Sequence, residues 1–267
     1  KIFQDGARGN EMTLLELKGV CKSFGGLAAV FLLDLEVHEG EILGLVGPNG
    51  AGKTTVFNLI TGFLSPDAGK ILLKGERISG RKPYKIASKG IARTFQISTL
   101  FKNCTVLENV VTGHHLQIKA GFWDFLLRTR RFWQEESEVE EKAVELLDFV
   151  RLTEYKDILA KNLSHGHQQR LGIIIALSTK PVLLLLDEPF AGMDSRETQE
   201  MMRLVDKIRR QGATVLIIEH DMKAVMGMCD RVVVLNYGKK LAEGVPEEIQ
   251  NNKEVIEAYL GREDDTA

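Results

Sequence analysis

Short apolar strands alternating with amphipathic helices predict an α/β protein built on a parallel sheet. Three observations carry the prediction. Ile42–Val46, Val182–Leu186 and Thr214–Ile218 are nearly continuous apolar runs of strand length, as a sheet covered on both faces requires. Helical patterns follow two of them, at Thr55–Thr61 and Glu197–Gln211. Between about Ser98 and Leu163 the α/β alternation stops and a helical pattern takes over. The core is therefore expected to be discontinuous, with a helical lobe inserted in its middle.

The elements follow in order. Thr13–Lys18 alternates apolar and polar residues and reads as a half-buried strand; Ala28–Val37 reads as a second, closed by the turn His38-Glu39-Gly40. Ile42–Val46 runs into glycines. The helix Thr55–Thr61 is stopped by Gly62 and Ser65-Pro66. Lys70–Lys74 and the residues after Gly75-Glu76 suit a β-hairpin. In the insert, Glu135–Val150 gathers Val139, Ala143, Leu146, Leu147 and Val150 on one face and its glutamates on the other. Gln168–Ser178 is the next predicted helix. Arg231–Leu235 and Lys240–Glu243 flank Asn236-Tyr237-Gly238-Lys239, a second hairpin signal.

Composition excludes several classes. The 267 residues are 44% hydrophobic and 27% charged, ordinary values for a globular protein. Lys and Arg total 35 against 37 Asp and Glu, so bulk charge offers no argument for nucleic acid. Cys21, Cys104 and Cys229 form no CxxC pair and read as small buried hydrophobes in a reducing compartment. No apolar run approaches the ~20 residues of a membrane span, and residues 1–10 lack the apolar core of a signal peptide. Work at a membrane would need another anchor.

Gly47-Pro48-Asn49-Gly50-Ala51-Gly52-Lys53-Thr54 fits G-x-x-x-x-G-K-[ST], with the required strand before it and helix after it. Its glycines let backbone N–H groups wrap a polyphosphate, and the following helix presents its positive end to the same anion. Lys53 is expected to reach the β- and γ-phosphates of a nucleoside triphosphate and the Thr54 hydroxyl to bind Mg2+. Asp187 and Glu188 stand where the apolar run Val182–Leu186 stops, at the end of a parallel strand where ligands collect. Asp187 would hold the hydration shell of the Mg2+ ion and Glu188 would activate water. Taken alone, the pair could equally solvate a strand terminus.

One further element identifies a family. Leu163-Ser164-His165-Gly166-His167-Gln168-Gln169-Arg170, shortly before the acidic strand, resembles the Leu-Ser-Gly-Gly-Gln signature of ABC-type ATPases. The resemblance runs from about Leu14 to Gly261, with the motifs in order. Phe24-Gly25-Gly26-Leu27, Ile91–Gln96, Leu100-Phe101-Lys102, Thr105–Val110 and Val255–Gly261 look like the first ATPase subunit of branched-chain amino acid importers. It implies a P-loop, RecA-like parallel-sheet core with an antiparallel β subdomain (11–96 and 164–250), an inserted helical subdomain (97–163) and a C-terminal tail (251–267).

Carried over residue by residue, the resemblance implies these roles. Phe24 stacks on adenine, although locally it could be a core aromatic. Thr55 joins the phosphate loop in holding nucleotide. Gln96 senses Mg2+ and the γ-phosphate at the junction of core and helical lobe. Ser164 and Gly166 contact the γ-phosphate bound to the opposite subunit, Ala191-Gly192-Met193-Asp194 lies at the dimer interface, and His220 bonds the γ-phosphate. A lone histidine, by itself, is more often structural, but its position after the strand Thr214–Glu219 favours the phosphate role. The implied assembly is a homodimer or heterodimer of ATPase subunits on two membrane permease subunits, served indirectly by an external binding protein. It lies at the cytoplasmic face of the cell membrane, with no direct nucleic acid contact. The same engine could drive another cargo (urea or amide, other amino acids, a lipid-like export substrate) or, with less in its favour, a machine acting on DNA or ribosomes. His165 and His167 depart from the signature. If both face phosphate, their protonation adds positive charge between about pH 6 and 7.5. Phe122–Phe132, aromatic and basic, could meet the permease or simply cover the lobe.

Overall fold

The computed structural model describes residues 12–94, 100–114 and 130–260. Strands β1 (Thr13–Phe24) and β2 (Leu27–His38) form an antiparallel hairpin, and β4 (Ala68–Leu73) and β5 (Glu76–Arg77) complete a four-stranded sheet of order β2-β1-β4-β5. Strands β3 (Ile42–Val46), β6 (Ile91–Arg93), β7 (Leu183–Asp187), β8 (Thr214–Ile218), β9 (Arg231–Asn236) and β10 (Lys239–Gly244) form a second sheet of order β10-β9-β3-β8-β7-β6. Five of these strands run parallel. The hairpin expected near residue 236 folds β10 antiparallel onto β9, so the parallel sheet carries an antiparallel edge.

Every residue of β3 and β8 is buried, the signature of a sheet covered on both faces. One face packs against the four-stranded sheet and helix α1 (Lys53–Ile60), around Phe57, Ile60, Leu43 and Leu216. The other face meets a continuous apolar cluster that includes Ile217, Ile174, Met201 and Val225. That cluster runs on into the insert through Val110, Ala143, Leu147 and Val150. The helical lobe thus shares its core with the sheet layer below.

Helices expected from periodicity are present, with shifted starts. The amphipathic helix of the insert spans α4 (Arg130–Phe149), after α2 (Pro83–Ala87) and α3 (Val106–Gly113). The helix expected from Gln168 begins at His165 and forms α5 (His165–Leu177), because Ser164 accepts a hydrogen bond from the His167 N–H (3.3 Å) and caps it. Helix α6 (Ser195–Arg210) opens with a full capping box: Asp194 accepts from the Arg196 and Glu197 N–H groups, and Glu197 accepts from the Asp194 N–H. Helices α7 (Met222–Met228), α8 (Pro246–Gln250) and α9 (Lys253–Leu260) complete the chain.

Register sets the site. Parallel pairing puts Leu45 opposite Ile218 and Ile218 opposite Asp187. The residues that follow, Gly47, Glu188 and Glu219-His220, therefore emerge together at one edge of the sheet. Among the described residues, no helix is long and apolar enough to cross a membrane.

Candidate nucleotide site

The loop Gly47–Thr54 joins β3 to α1, and its glycines answer to their neighbours. A Cβ on Gly47 (φ 149°) would stand 2.1 Å from the Leu235 carbonyl oxygen, and one on Gly52 (φ 103°) 2.4 Å from that of Ala29. No other residue fits either position without moving β9 or β2. Hydrogen bonds pin the loop from the same side: Gly238 N–H donates to Ala51 (3.0 Å), and Phe31 N–H donates to Gly238 (2.8 Å). Pro48, Asn49 and Gly50 form the outer rim, and Ala51 is buried beneath them. Helix α1 starts on Gly52 with no capping side chain, so the N–H groups of its first turn, at Lys53, Thr54 and Thr55, keep their electropositive character.

Lys53 is buried, and its ammonium donates to the carbonyls of Gly47 (2.6 Å) and Pro48 (3.0 Å). Burial lowers its pKa, while the carboxylates of Glu188 and Asp187 act in the opposite sense. A cation inside a glycine cradle, at an uncapped helix start, with two carboxylates nearby, is a donor set that fits a metal-bound polyphosphate.

Asp187 ends β7. Its Oδ2 accepts from Arg93 Nη2 at 2.6 Å, and Arg93 Nη1 donates to Asn58 Oδ1 on α1 at 2.7 Å. Glu188, one residue on, adopts a left-handed conformation (φ 49°) and donates its N–H to the Ile218 carbonyl (2.9 Å). Left-handed backbone is costly for a residue with a side chain, and such strain collects at functional sites. The turn aims Glu188 Oε1 at His220 Nε2, 2.9 Å away. Sequence reading chose both residues; only the fold pairs them.

Sequence reading passed over Glu219. It is buried, and its carboxylate accepts from the N–H groups of Phe190 (2.8 Å) and His220 (3.0 Å), clipping the loop after β7 to the loop after β8. Burial pushes its pKa up, and those N–H groups pull it back. The available signal was an acid at the end of an apolar run, the same signal that selected Asp187. Arg93 and Asn58 carried no local signal.

Phe24 is exposed at the end of β1, beside the Gly25-Gly26 turn, so it is not a core aromatic. Gln96 lies outside the described residues, as does most of Phe122–Phe132. Ser164 caps α5, and its neighbours His165 and Gly166 lie against their own chain's Gly192 and α6. A Cβ at Gly166 would meet Glu197 Oε1 at 3.0 Å, and the His165 ring sits 3.5 Å from where a Gly192 Cβ would stand. His167 has a neighbour that the sequence does not reveal. Its ring packs on Tyr155, with centroids 4.7 Å apart. Burial first, then Arg170, hold its pKa below the ordinary histidine value. The cysteines also divide: Cys229 is buried, while Cys21 and Cys104 are half-buried.

Between β6 and the helical insert runs a mostly apolar groove of about 430 Å³, walled by Phe63, Tyr84, Leu100, Phe101 and Ile175. Phe63, Tyr84 and Phe101 each leave more than half their surface exposed. Arg93 lies in its wall.

Comparison with known proteins accords with this geometry. The family model for ABC transporters matches residues 31–191, and that for branched-chain amino acid ATP-binding cassette transporters matches residues 239–265. The chain is 46% identical over 249 residues to the high-affinity branched-chain amino acid transport ATP-binding protein LivG of Escherichia coli (strain K12), covering 93% of this chain and 98% of that one. It superposes on a nucleotide-free ATP-binding cassette of an ABC transporter with TM-score 0.82 and 33% identity, over 94% of this chain and all of the other. A dimeric cassette in a post-hydrolysis state, bound to ADP and Pi, matches with TM-score 0.74 and 25% identity, over 87% of this chain and 99% of that chain.

Proposed function

Because the chain belongs to the family of ABC transporter ATP-binding proteins, we propose that it hydrolyses ATP to drive branched-chain amino acid uptake through a membrane permease. The observation that carries the chemistry is the convergence of Lys53, Asp187, Glu188 and His220 at one sheet edge. The 46% identity with LivG over nearly the whole chain supports the cargo class.

In this reading Phe24 stacks on adenine, and Gly47–Thr55 wraps the phosphates. Lys53 exchanges its two carbonyl acceptors for phosphate oxygens, which are stronger acceptors because they are charged. Thr54 and Asp187 are the residues that would hold Mg2+, joined by Gln96. The ion supplies neutralisation of charge on the transferring phosphoryl group. Glu188 takes the proton of the attacking water, with His220 fixing the carboxylate's direction and bonding the γ-phosphate. Hydrolysis thus needs a base already aimed before water arrives, which the left-handed turn at Glu188 supplies.

Ser164 and Gly166 complete the site of a second ATPase subunit, identical or homologous, facing head to tail. His165 against Gly192 and Gly166 against Glu197 of α6 tie each signature to its own subunit's loop after Glu188, so closure at one site is felt at the other. The groove beside β6, with its exposed aromatic walls, receives a cytoplasmic segment of the permease. The helical lobe, 97–163, is the part that moves. The protein works peripherally at the cytoplasmic face of the membrane.

The test is Glu188→Gln. The variant should bind MgATP, accumulate as a dimer on size-exclusion chromatography and lose turnover. Pulled from native membranes in MgATP, it should bring two multi-span subunits, a second ATPase and a branched-chain amino acid binding protein. Near-normal turnover would remove Glu188 from the base role, and recovery with ribosomes or DNA alone would overturn the transport reading.

A further inference from the structure

Arg93 is buried between three elements, and each of its contacts has a purpose that sequence alone does not suggest. Its side chain is 6% exposed. One arm of the guanidinium donates to Asp187 Oδ2 (2.6 Å) and the other to Asn58 Oδ1 (2.7 Å), while its plane lies 5.4 Å from the centroid of Phe57. The strand that carries it is clamped to β7, with Thr94 N–H donating to Leu185 (2.9 Å) and Asp187 N–H donating to Thr94 Oγ1 (3.3 Å). The same residue lines the apolar groove on the far side.

We infer that Arg93 is a positioning residue for the metal-holding carboxylate: it fixes Asp187 against α1 and ties its orientation to the wall of the groove. This rests on the reading above that Asp187 holds Mg2+. The physical case is geometric. A guanidinium presents its donors in a rigid fork, so seating one arm on Asn58 and the ring-stacked plane on Phe57 leaves one direction for the arm that holds Asp187. With Oδ2 held by Arg93, Oδ1 is the carboxylate oxygen left for the metal. Released from Arg93, the carboxylate would have the Lys53 ammonium as its next cation, since the two already interact electrostatically. Pairing there would take both Asp187 from the metal and Lys53 from the phosphates. Groups that orient a metal-holding residue typically carry about 10- to 100-fold of metal affinity.

The experiment measures Mn2+ binding, in place of Mg2+, to protein saturated with AMP-PNP, with free Mn2+ read by electron paramagnetic resonance. Arg93→Met should weaken Mn2+ by about tenfold or more, while metal-free binding of a fluorescent ATP analogue in EDTA stays near wild type. A merely structural role would lower both. Asn58→Ala, which unseats the other arm and leaves the buried ion pair in place, should weaken Mn2+ in the same direction by a smaller factor, and stands in if Arg93→Met does not fold. Asp187→Asn is the reference. If it weakens Mn2+ and the Arg93 and Asn58 variants do not, or if they tighten it, the positioning role is wrong. If Asp187→Asn itself leaves Mn2+ binding unchanged, the reading of Asp187 falls and takes this one with it.

Discussion

Asn109, on α3, offers a prediction whose size follows from its contacts. The side chain is fully buried. Its Oδ1 accepts from the Phe101 N–H (2.9 Å), and its Nδ2 donates to the carbonyls of Phe101 (3.1 Å) and Thr105 (2.8 Å). One amide thus folds residues 101–105 into the turn that carries Leu100 and Phe101 into the groove wall. Asn109→Ala removes the partner of the Phe101 N–H, whereas the Phe101 carbonyl keeps the Cys104 N–H at 3.0 Å. The Thr105 carbonyl keeps the Asn109 N–H at 3.1 Å and loses less. A buried polar group left unsatisfied costs ~1–3 kcal/mol, and the Phe101 N–H is the one group left so, which sets the size of the expected loss. Amide hydrogen exchange by mass spectrometry, with urea melts beside it, reads the loss directly: protection of residues 100–114 should collapse first. Basal ATP hydrolysis should change little, whereas stimulation by the reconstituted permease should drop, because the perturbed wall belongs to the groove. A destabilisation below ~0.5 kcal/mol, the size of an ordinary surface change, would refute the assignment of those hydrogen bonds as the clip that holds this turn.

Further predictions concern the site. Gly47→Ala forces a Cβ to 2.1 Å from the Leu235 carbonyl oxygen at φ 149°. Strain of ~1–3 kcal/mol should lower nucleotide affinity by about 5- to 150-fold, measured by isothermal calorimetry, with the far-ultraviolet circular dichroism unchanged. The buried Cys229 thiol is pushed up to about 12, so at pH 8 it should resist iodoacetamide until the protein unfolds, while Cys21 and Cys104, half-buried, react earlier. Labelling of Cys229 at the rate of the other two would contradict its burial. Glu219 has a pKa raised above the ordinary 4.5, so the folded protein holds its proton more tightly than the unfolded chain. Its contribution to stability is present below the unfolded value and is lost as pH rises through the folded one. Stability of Glu219→Gln relative to wild type should therefore improve on going from pH 4 toward neutrality, and a flat difference would count against the raised pKa.

Much of this protein is legible without coordinates. The strands β3, β7 and β8 announce themselves because burial on both faces forces unbroken apolar runs, and the phosphate loop because only glycine tolerates its backbone and its neighbours. Asp187 and Glu188 stand out as charges directly after an apolar strand. Local chemistry encodes all of these within a few residues, so the sequence by itself determined the fold class, the nucleotide cradle and the acids beside it. What it could not express is adjacency. The order β10-β9-β3-β8-β7-β6 seats β7 between β8 and β6, and only that order brings Arg93 to Asp187 across 94 residues and His220 to Glu188 across 32. The helix start at His165 and the turning of His167 onto Tyr155 were likewise decided by packing, because a histidine's pattern is the same whether it faces phosphate or a ring. Hydrophobic periodicity records which side of an element is buried; it does not record what that side is buried against, and the pairings that make the site reactive belong to the tertiary structure.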